Sequence, residues 1–238
     1  MKVLIPMAGE GSRFAKEGYT FPKPLIDVNG KPMIQKVVEN LDFDCEYVFL
    51  VRKNHIEKYP GIISTLERIT NGRFSYVLVD ELTEGAACTA LLAKDLINND
   101  ESLLIANSDQ IISYSKENFL TIKTMAAVDG IVFSFNAVHP KWSFVKMNSR
   151  GFVTEVAEKK PISNVATCGI YWYRKGSDFV RYAEQMIEKD IRVNNEFYIA
   201  PVYNELVEDG LSLIPFYVHK MHGIGTPEDL NYYLSTQK

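Results

Sequence analysis

Short apolar segments alternate with longer segments of helical periodicity over the first 138 residues. The apolar segments predict strands at 2–7, 46–52, 74–80, 102–109 and 130–137. The helical periodicity predicts helices at 32–41 and 85–97, and a further helical stretch that is broken near Pro60. This alternation predicts an α/β fold, with a Rossmann-like, mostly parallel sheet covered by helices on both faces.

The pattern changes near residue 139. The segments that follow predict antiparallel strands at 142–147, 151–159 and 165–174, helices at about 176–189 and 196–209, a strand at 211–218 and a closing helix from Thr226. We therefore expect a single domain over residues 1–238. An added mixed or antiparallel half (139–238) would form one wall of a cleft against the first half (1–138).

Composition and charge exclude several classes of protein. A chain of 238 residues fits one domain, and its net charge of −4 argues against nonspecific nucleic-acid binding. The apolar start, "MKVLIPMAG", is too short for a signal peptide or a membrane span, which predicts a cytoplasmic location and no membrane partner. The three widely spaced cysteines predict buried free thiols rather than disulfides or a zinc site. The oligomeric state is not readable, and a homodimer stays open.

A glycine-containing loop, "AGEGSR", follows the first predicted strand. Gly9 and Gly11 can adopt positive φ and bring backbone N–H groups close to a phosphate. A dinucleotide-binding motif is disfavoured because Phe14 occupies the position of its third glycine, and the P-loop pattern is absent. A plain structural turn stays open as the alternative.

Two permanent cations, Arg13 and Lys23, bracket the long loop that follows and that contains Gly18. Arg13 can offer a planar fork to phosphate oxygens, and Lys23 a point charge. Pro22 and Pro24 restrict the backbone around Lys23, which limits the entropy lost on binding. Together the two cations suit a triphosphate, unless they are merely solvated loop charges.

The motifs together resemble those of the nucleotidyltransferases that make nucleoside-diphosphate sugars from an NTP and a sugar 1-phosphate. The resemblance rests on "MAGEGSRF", "FPKPLIDVNGKPMI", "EGAACTALL", "NSD", "EKKP", "CGIYWY", "NEFY" and "GIGTPEDL", and it covers nearly the whole chain. It implies that residues 1–138 bind the nucleotide and residues 139–238 the acceptor.

The resemblance also implies roles for individual residues. The nucleotide and its phosphates would contact Ala8, Gly9, Gly11, Ser12, Arg13, Lys23 and Ser108, and the base would contact Glu84, Gly85 and Ala86. The acceptor would contact Trp142, Ser143, Lys159, Gly169 and Glu196. Either Lys159 or Lys160 would meet the acceptor's phosphate, and Lys160 is favoured because it directly precedes the proline. Asp109 would hold Mg²⁺, which accepts one or two carboxylates together with phosphate oxygens.

Two positions depart from the family pattern. Gly223 stands where many members carry an aspartate that supplies a second metal ligand, so Asp109 is the one firm ligand expected. Trp142-Ser143 replaces the Tyr-Gly of many hexose enzymes, and a side chain in place of glycine would crowd a hexose ring. Both departures point to an unusual phosphorylated acceptor.

The expected reaction is an in-line displacement at the α-phosphorus, with Arg13, Lys23 and Lys160 as the catalytic cations. In overall appearance the chain most resembles bacterial capsule-associated cytidylyltransferases, which implies CTP as the donor and glutamine phosphate as the acceptor, giving CDP-glutamine for capsule modification. The alternatives are a sugar-1-phosphate cytidylyl-, uridylyl- or thymidylyltransferase and, in another class, a non-catalytic nucleotide-binding regulator.

Overall fold

A computed structural model describes residues 1–237 of the chain. The strands are β1 (Lys2–Pro6), β2 (Asp27–Val28), β3 (Lys31–Pro32), β4 (Glu46–Arg52), β5 (Phe74–Val79), β6 (Leu103–Ala106), β7 (Gln110–Ser113), β8 (Gly130–Asn136), β9 (Ser143–Met147), β10 (Val153–Glu158), β11 (Val165–Tyr173), β12 (Leu213–Tyr217) and β13 (Lys220–Gly223). The α-helices are α1 (Ser12–Lys16), α2 (Met33–Leu41), α3 (Lys53–Lys58), α4 (Gly61–Ile69), α5 (Ala86–Leu91), α6 (Lys94–Ile97), α7 (Lys116–Ile122), α8 (Gly176–Glu188), α9 (Val202–Glu208) and α10 (Pro227–Ser235). A 3₁₀ turn covers Lys23–Leu25.

One large sheet organises the molecule. Its main path runs β10-β9-β11-β6-β1-β4-β5, and β8 pairs with both β11 and β12. The strands β6, β1, β4 and β5 are parallel, while β11 is antiparallel to its neighbours β6, β8 and β9. The predicted α/β class and mostly parallel sheet are confirmed, and strands from both sides of residue 138 share this sheet.

Alternate residues of the central strands feed two hydrophobic cores, one on each face of the sheet. Leu4 of β1 packs in a core with side chains of α5, α8 and α9. Its neighbours Val3 and Ile5 face the opposite core, which contains side chains of α2, α4 and α7. Because strand side chains alternate between faces, a strand buried on both faces must be apolar throughout, as the fully buried Val3–Ile5 is.

Two predicted helices differ from the structure. The helix expected at 85–97 is interrupted after Leu91, so that α5 and α6 are separate. The helix expected at 196–209 begins at Val202. Residues before it are held by the loop preceding α5, since the Phe197 N–H donates to the Glu84 carbonyl at 2.8 Å. Pro201 then suits the start of a helix, where its missing N–H has no intrahelical partner to lose.

A small ribbon at the edge of the fold escapes prediction. β7 pairs antiparallel with β13, and the register places Gly223 opposite Gln110. α10 follows and packs in a third apolar cluster with Phe14 of α1. The ribbon therefore brings the "GIGT" segment of the C-terminal region against the residues that follow β6.

Two further expectations concern cysteines and membranes. Cys45, Cys88 and Cys168 are free thiols, and only Cys168 is fully buried. Burial raises the pKa of the Cys45 thiol to about 11.

Among residues 1–237, no helix has the combination of length and apolar composition needed to cross a membrane.

Candidate active site

The glycine loop lies between β1 and α1, at the carboxyl edge of the parallel strands. Gly11 has φ +64°, in the left-handed region that favours glycine. A Cβ at this position would lie 3.1 Å from the Cβ of Lys23. Gly11 thus serves two needs at once, a backbone turn and the close approach of the Lys23 segment.

The loop and the two predicted cations line one cavity. This phosphate cavity has a volume of about 210 Å³ and is lined by Gly9, Gly11, Ser12, Arg13, Phe14, Lys23 and Gly225. The restricted segment around Lys23 forms a 3₁₀ turn between Pro22 and Ile26. Arg13 and Lys23, ten residues apart in the sequence, therefore converge on the same space, as a triphosphate would require.

Asp109 follows β6 and reaches the same place from the neighbouring strand. Its carboxylate forms an ion pair with the Lys23 ammonium, and each side chain retains only about 20% of its exposure. The Asp109 carbonyl accepts a hydrogen bond from the Ile224 N–H at 2.8 Å. A Cβ at Gly225 would lie only 2.9 Å from the Asp109 Cγ, so glycine is needed there for the carboxylate to fit.

These residues fit a magnesium site that is completed by a nucleotide. No three histidine, cysteine, aspartate or glutamate side chains of residues 1–237 gather into a metal-binding group. Mg²⁺ commonly takes one or two carboxylates and fills its other positions with water and substrate phosphates. Asp109, beside the phosphate cavity, supplies one such carboxylate.

A second cavity adjoins the first and shares Gly9 with it. This base cavity has a volume of about 340 Å³ and is lined by Pro6, Ala8, Gly9, Val79, Glu81, Leu82, Thr83, Gly85, Ala86, Thr89 and Glu196. Ala8, Gly85 and Ala86, predicted to contact the nucleotide, thus lie together. Glu196, predicted to contact the acceptor, lines this cavity instead of the one that contains Trp142 and Ser143.

The loop before α5 owes its shape to Gly85. This residue has φ +134°, and a Cβ there would lie 2.5 Å from the backbone N of Phe197. The Ala87 N–H donates to the Phe197 carbonyl at 3.0 Å, which fixes the two segments together. The Glu84 side chain points outward and pairs with Arg192 at 2.5 Å, so it does not line the base cavity.

A third cavity adjoins the second and shares Ala86 with it. This acceptor cavity has a volume of about 180 Å³ and is lined by Ala86, Asn107, Gln110, Lys141, Trp142, Ser143, Glu158, Thr167, Gly169, Tyr171, Tyr198, Ile199 and Ala200. Trp142, Ser143 and Gly169, predicted acceptor contacts, all line it. Gly169 has φ +70°, and a Cβ there would lie 2.8 Å from the Asn107 Cγ.

Ser143 takes up part of the acceptor cavity and binds a carboxylate within it. The Ser143 hydroxyl donates a hydrogen bond to Oε2 of Glu158. Burial raises the pKa of the Glu158 carboxyl, a nearby Glu196 raises it further, and the Ser143 bond and Lys159 act in the opposite direction. Trp142 packs edge-on against Phe135, with ring centroids 5.4 Å apart.

The two neighbouring lysines differ in position. Lys159 donates a hydrogen bond to the Tyr198 hydroxyl, and its Nζ lies 4.5 Å from the centroid of that ring. Since Tyr198 lines the acceptor cavity, Lys159 lies at the rim of that cavity. Lys160, which the sequence favours for this role, is exposed and does not line the cavity.

Four further residues of the quoted motifs, or next to them, differ from what the sequence predicts. Ser108 is buried and lines none of the three cavities, although it was expected to contact the nucleotide. Asn107, Gln110 and Glu158 line the acceptor cavity and were not predicted to do so. Glu158 is the first residue of the quoted "EKKP" motif and the last residue of β10. The alternation of side chains along that strand is the signal that could have indicated its place in the cavity.

Comparison with known proteins identifies the family of the chain. A family model described as nucleotidyl transferase matches residues 2–231. The chain belongs to the nucleotidyl transferase family. The matched range includes the glycine loop, Asp109 and the residues that line the phosphate, base and acceptor cavities.

Individual members of the nucleotidyl transferase family resemble the chain at modest identity. The bifunctional protein GlmU of Methanocaldococcus jannaschii is 28% identical over 177 residues, which covers 74% of this chain and 40% of that protein. The 2-aminoethylphosphonate cytidylyltransferase of Lancefieldella rimae is 35% identical over 112 residues, covering 42% of this chain and 45% of that protein. The chain thus spans less than half the length of the GlmU relative that it matches.

A solved structure shows the same fold over the full length. The nucleoside-diphosphate-sugar pyrophosphorylase of Vibrio cholerae superposes with a TM-score of 0.81 at 24% identity, covering 98% of this chain and 99% of that one. At that identity the likeness concerns the fold, and it includes both the parallel strands and the antiparallel strands around β11.

Proposed function

We propose that the protein transfers a nucleotidyl group from an NTP to a phosphorylated small acceptor and releases pyrophosphate. The observation that carries the proposal is the adjacency of the three cavities. Gly9 lines both the phosphate and base cavities, and Ala86 lines both the base and acceptor cavities. A nucleotide and an acceptor bound there would be neighbours, as a direct transfer between them requires.

The proposed step is an in-line displacement at the α-phosphorus. An oxygen of the acceptor's phosphate forms the new P–O bond, and the bond to the β-phosphate oxygen breaks, so the electron pair leaves with pyrophosphate. Because that phosphate oxygen is already anionic, no general base is required. Arg13 and Lys23 would hold the triphosphate and stabilise the charge that develops on the leaving group.

Asp109 would hold Mg²⁺ in this reaction, and the ion would supply charge neutralisation at the phosphates. In the unliganded protein Lys23 pairs with that same carboxylate. Binding of the nucleotide with its metal would therefore exchange the Lys23–Asp109 contact for contacts of both side chains with the substrate. Lys159 at the rim of the acceptor cavity would attract the acceptor's phosphate.

For the donor and acceptor we propose CTP and glutamine phosphate, giving CDP-glutamine for capsule modification. The resemblance to capsule-associated cytidylyltransferases supports this choice, as does the similarity to a 2-aminoethylphosphonate cytidylyltransferase. Ser143 supports it as well, because its side chain lies in the acceptor cavity, where it would crowd a hexose ring.

A sugar 1-phosphate acceptor is the second candidate. It is favoured by the similarity to GlmU and to a mannose-1-phosphate guanyltransferase of Schizosaccharomyces pombe, and by the fold shared with a nucleoside-diphosphate-sugar pyrophosphorylase. In this case the acceptor cavity would have to accept a pyranose ring beside Ser143 and Trp142.

A screen of pyrophosphate release tests both candidates. The four NTPs are crossed with glutamine phosphate, glucose 1-phosphate, N-acetylglucosamine 1-phosphate and mannose 1-phosphate in the presence of Mg²⁺. We expect release with CTP, and mass spectrometry identifies the CDP-linked product. Binding of an NTP without release for any pair would instead support a regulatory nucleotide-binding protein and contradict the proposed reaction.

A further inference from the structure

The acceptor cavity contains a carboxylate, that of Glu158, which forms no ion pair with a cation of residues 1–237. Glu158 is half-buried at the end of β10, and within residues 1–237 its side-chain partner is the neutral hydroxyl of Ser143. Lys159 is near enough to lower the pKa of Glu158, but its ammonium and that of Lys141 form their direct contacts with other groups. Lys159 binds the Tyr198 hydroxyl, and Lys141 pairs with Asp229 at 3.1 Å.

Another hydrogen-bond acceptor in the same cavity has no donor at all among residues 1–237. Gln110 Oε1 is buried, and no hydrogen-bond donor of the described residues reaches it. The Gln110 Oε1 atom lies close to Gly169: a Cβ built on Gly169 would be 2.5 Å from this oxygen. Buried polar atoms are nearly always satisfied, so an unpaired acceptor on a residue that lines a ligand cavity is a position where a donor of the ligand would be stabilised.

Both groups accept hydrogen bonds, and Glu158, whose carboxylate is bonded to the Ser143 hydroxyl, carries a negative charge when ionised. Removing a carboxylate from water is unfavourable unless a cation or several donors compensate for it. Burial acts in that direction here, since it raises the pKa of Glu158. The missing partner is therefore a group that donates several hydrogen bonds and carries a positive charge.

Cations line the phosphate cavity and the rim of the acceptor cavity. Arg13 and Lys23 line the phosphate cavity, and Lys159 stands at the rim of the acceptor cavity. Cations therefore surround the place where phosphates would meet, while Glu158 and Gln110 lie inside the acceptor cavity. A small ligand that matches this distribution has an anionic phosphate at one end and a cation at the other.

We propose that the acceptor carries an ammonium group, which binds Glu158 and Gln110 while its phosphate faces Lys159. This inference rests on the proposed nucleotidyl transfer and narrows its acceptor to amine-bearing phosphates or phosphonates. A sugar hydroxyl could donate one hydrogen bond to Glu158, but it would leave the charge uncompensated. An ammonium donates up to three, and its bonds to a carboxylate are charge-assisted.

A pair of nearly isosteric acceptors tests the inference. 2-Aminoethyl phosphate and 2-hydroxyethyl phosphate differ by an ammonium in place of a hydroxyl. With CTP and Mg²⁺, we expect kcat/KM for the amine to exceed that for the alcohol by about 10- to 100-fold, the range of a charge-assisted bond. Glucose 1-phosphate serves as a hydroxyl-rich acceptor without an ammonium.

Variants locate the preference in the protein. Glu158→Gln keeps the shape and the Ser143 bond but removes the charge, and we expect it to reduce the preference for the amine to within about threefold. Glu155→Gln is the matched control, because Glu155 lies on the exposed side of the same strand. Gln110→Met, which removes the second hydrogen-bond acceptor, is expected to reduce the preference partially and replaces Glu158→Gln if that variant does not fold.

Calorimetric titration of the two phosphates separates this inference from the proposed function. Pyrophosphate release with glucose 1-phosphate or the alcohol at equal or higher kcat/KM would keep the transferase and overturn the ammonium site. Tighter binding of the amine, dependent on Glu158, without turnover would keep the ammonium site and count against the transfer reaction. Equal binding of the two phosphates, or binding of neither, would overturn the ammonium site whatever the turnover.

Discussion

Lys23 and Asp109 lie 86 residues apart in the sequence, yet their side chains form an ion pair at the carboxyl edge of the central sheet. The pair joins the segment after β1 to the segment after β6, and β1 and β6 are adjacent parallel strands.

Removal of either partner of this pair should abolish most of the activity. Lys23→Ala and Asp109→Ala are each expected to lower kcat for pyrophosphate release by on the order of 10²–10³, because each deletes a preorganised charge at the phosphates. Lys16→Ala, at an exposed cation of α1, is the control and should behave as wild type. Near-normal turnover of either variant at saturating Mg²⁺ and NTP would remove its assigned role, provided that circular dichroism shows an intact fold.

Two glycines of the C-terminal region should respond differently to the same substitution. Gly225→Ala would place a Cβ 2.9 Å from the Asp109 Cγ and displace the carboxylate, so we expect kcat to fall at least tenfold. Gly223→Ala should be nearly neutral, because its Cβ would meet the nearest atoms, of Trp142, at 3.5 Å. Steady-state kinetics measure kcat for both variants. An equal decrease in kcat for the two would contradict the steric argument.

Gly85 should be important for stability. In Gly85→Ala the residue would be strained at φ +134° and would overlap the Phe197 backbone. Such strain costs about 1–3 kcal/mol, which corresponds to a decrease of roughly 2–10 °C in Tm for a chain of this size. Gly61→Ala is the control, since a Cβ there meets open space. Calorimetric melting should show a lower Tm for the first variant only, and an unchanged Tm would contradict the assigned strain.

Glu158 should lower stability at neutral pH. Its pKa in the folded protein is raised above the ordinary value of 4.5 by burial, so ionisation is less favourable in the folded than in the unfolded chain. The free energy of unfolding therefore decreases as the pH rises from below 4.5 through the raised pKa. Glu158→Gln removes this dependence and should melt at a higher temperature than wild type at pH 7.5, with a smaller difference near pH 4. A lower Tm for the variant at pH 7.5 would contradict this sign.

Lys159 and Lys160 offer a direct comparison of neighbours. Lys159 reaches Tyr198 at the acceptor cavity, so Lys159→Ala is expected to raise KM for the acceptor about tenfold with little change in KM for the nucleotide. Lys160→Ala should have a small effect, because its side chain is exposed and away from the cavity. The opposite ranking would support the role for Lys160 that its place before the proline favours.

Local patterns predicted much of the fold because they depend on neighbours in the sequence. The apolar strands around Val3–Ile5 and Phe49 follow from their composition, and the break near Pro60 follows from the chemistry of proline. The helix expected from residue 196 was wrong up to Pro201, because Phe197 forms backbone hydrogen bonds with a segment more than 100 residues away. Long-range pairing of that kind leaves no local signal.

The sequence by itself determined the α/β class, the family motifs and the two loop cations, since periodicity and motif spacing are properties of short segments. The tertiary structure alone decided which side chains meet. It brought Lys23 to Asp109, left Gly225 no room for a side chain, and placed Glu158 and Gln110 in the lining of one acceptor cavity. These relationships depend on strand order and on the β7–β13 ribbon, which are set by the packing of the whole chain.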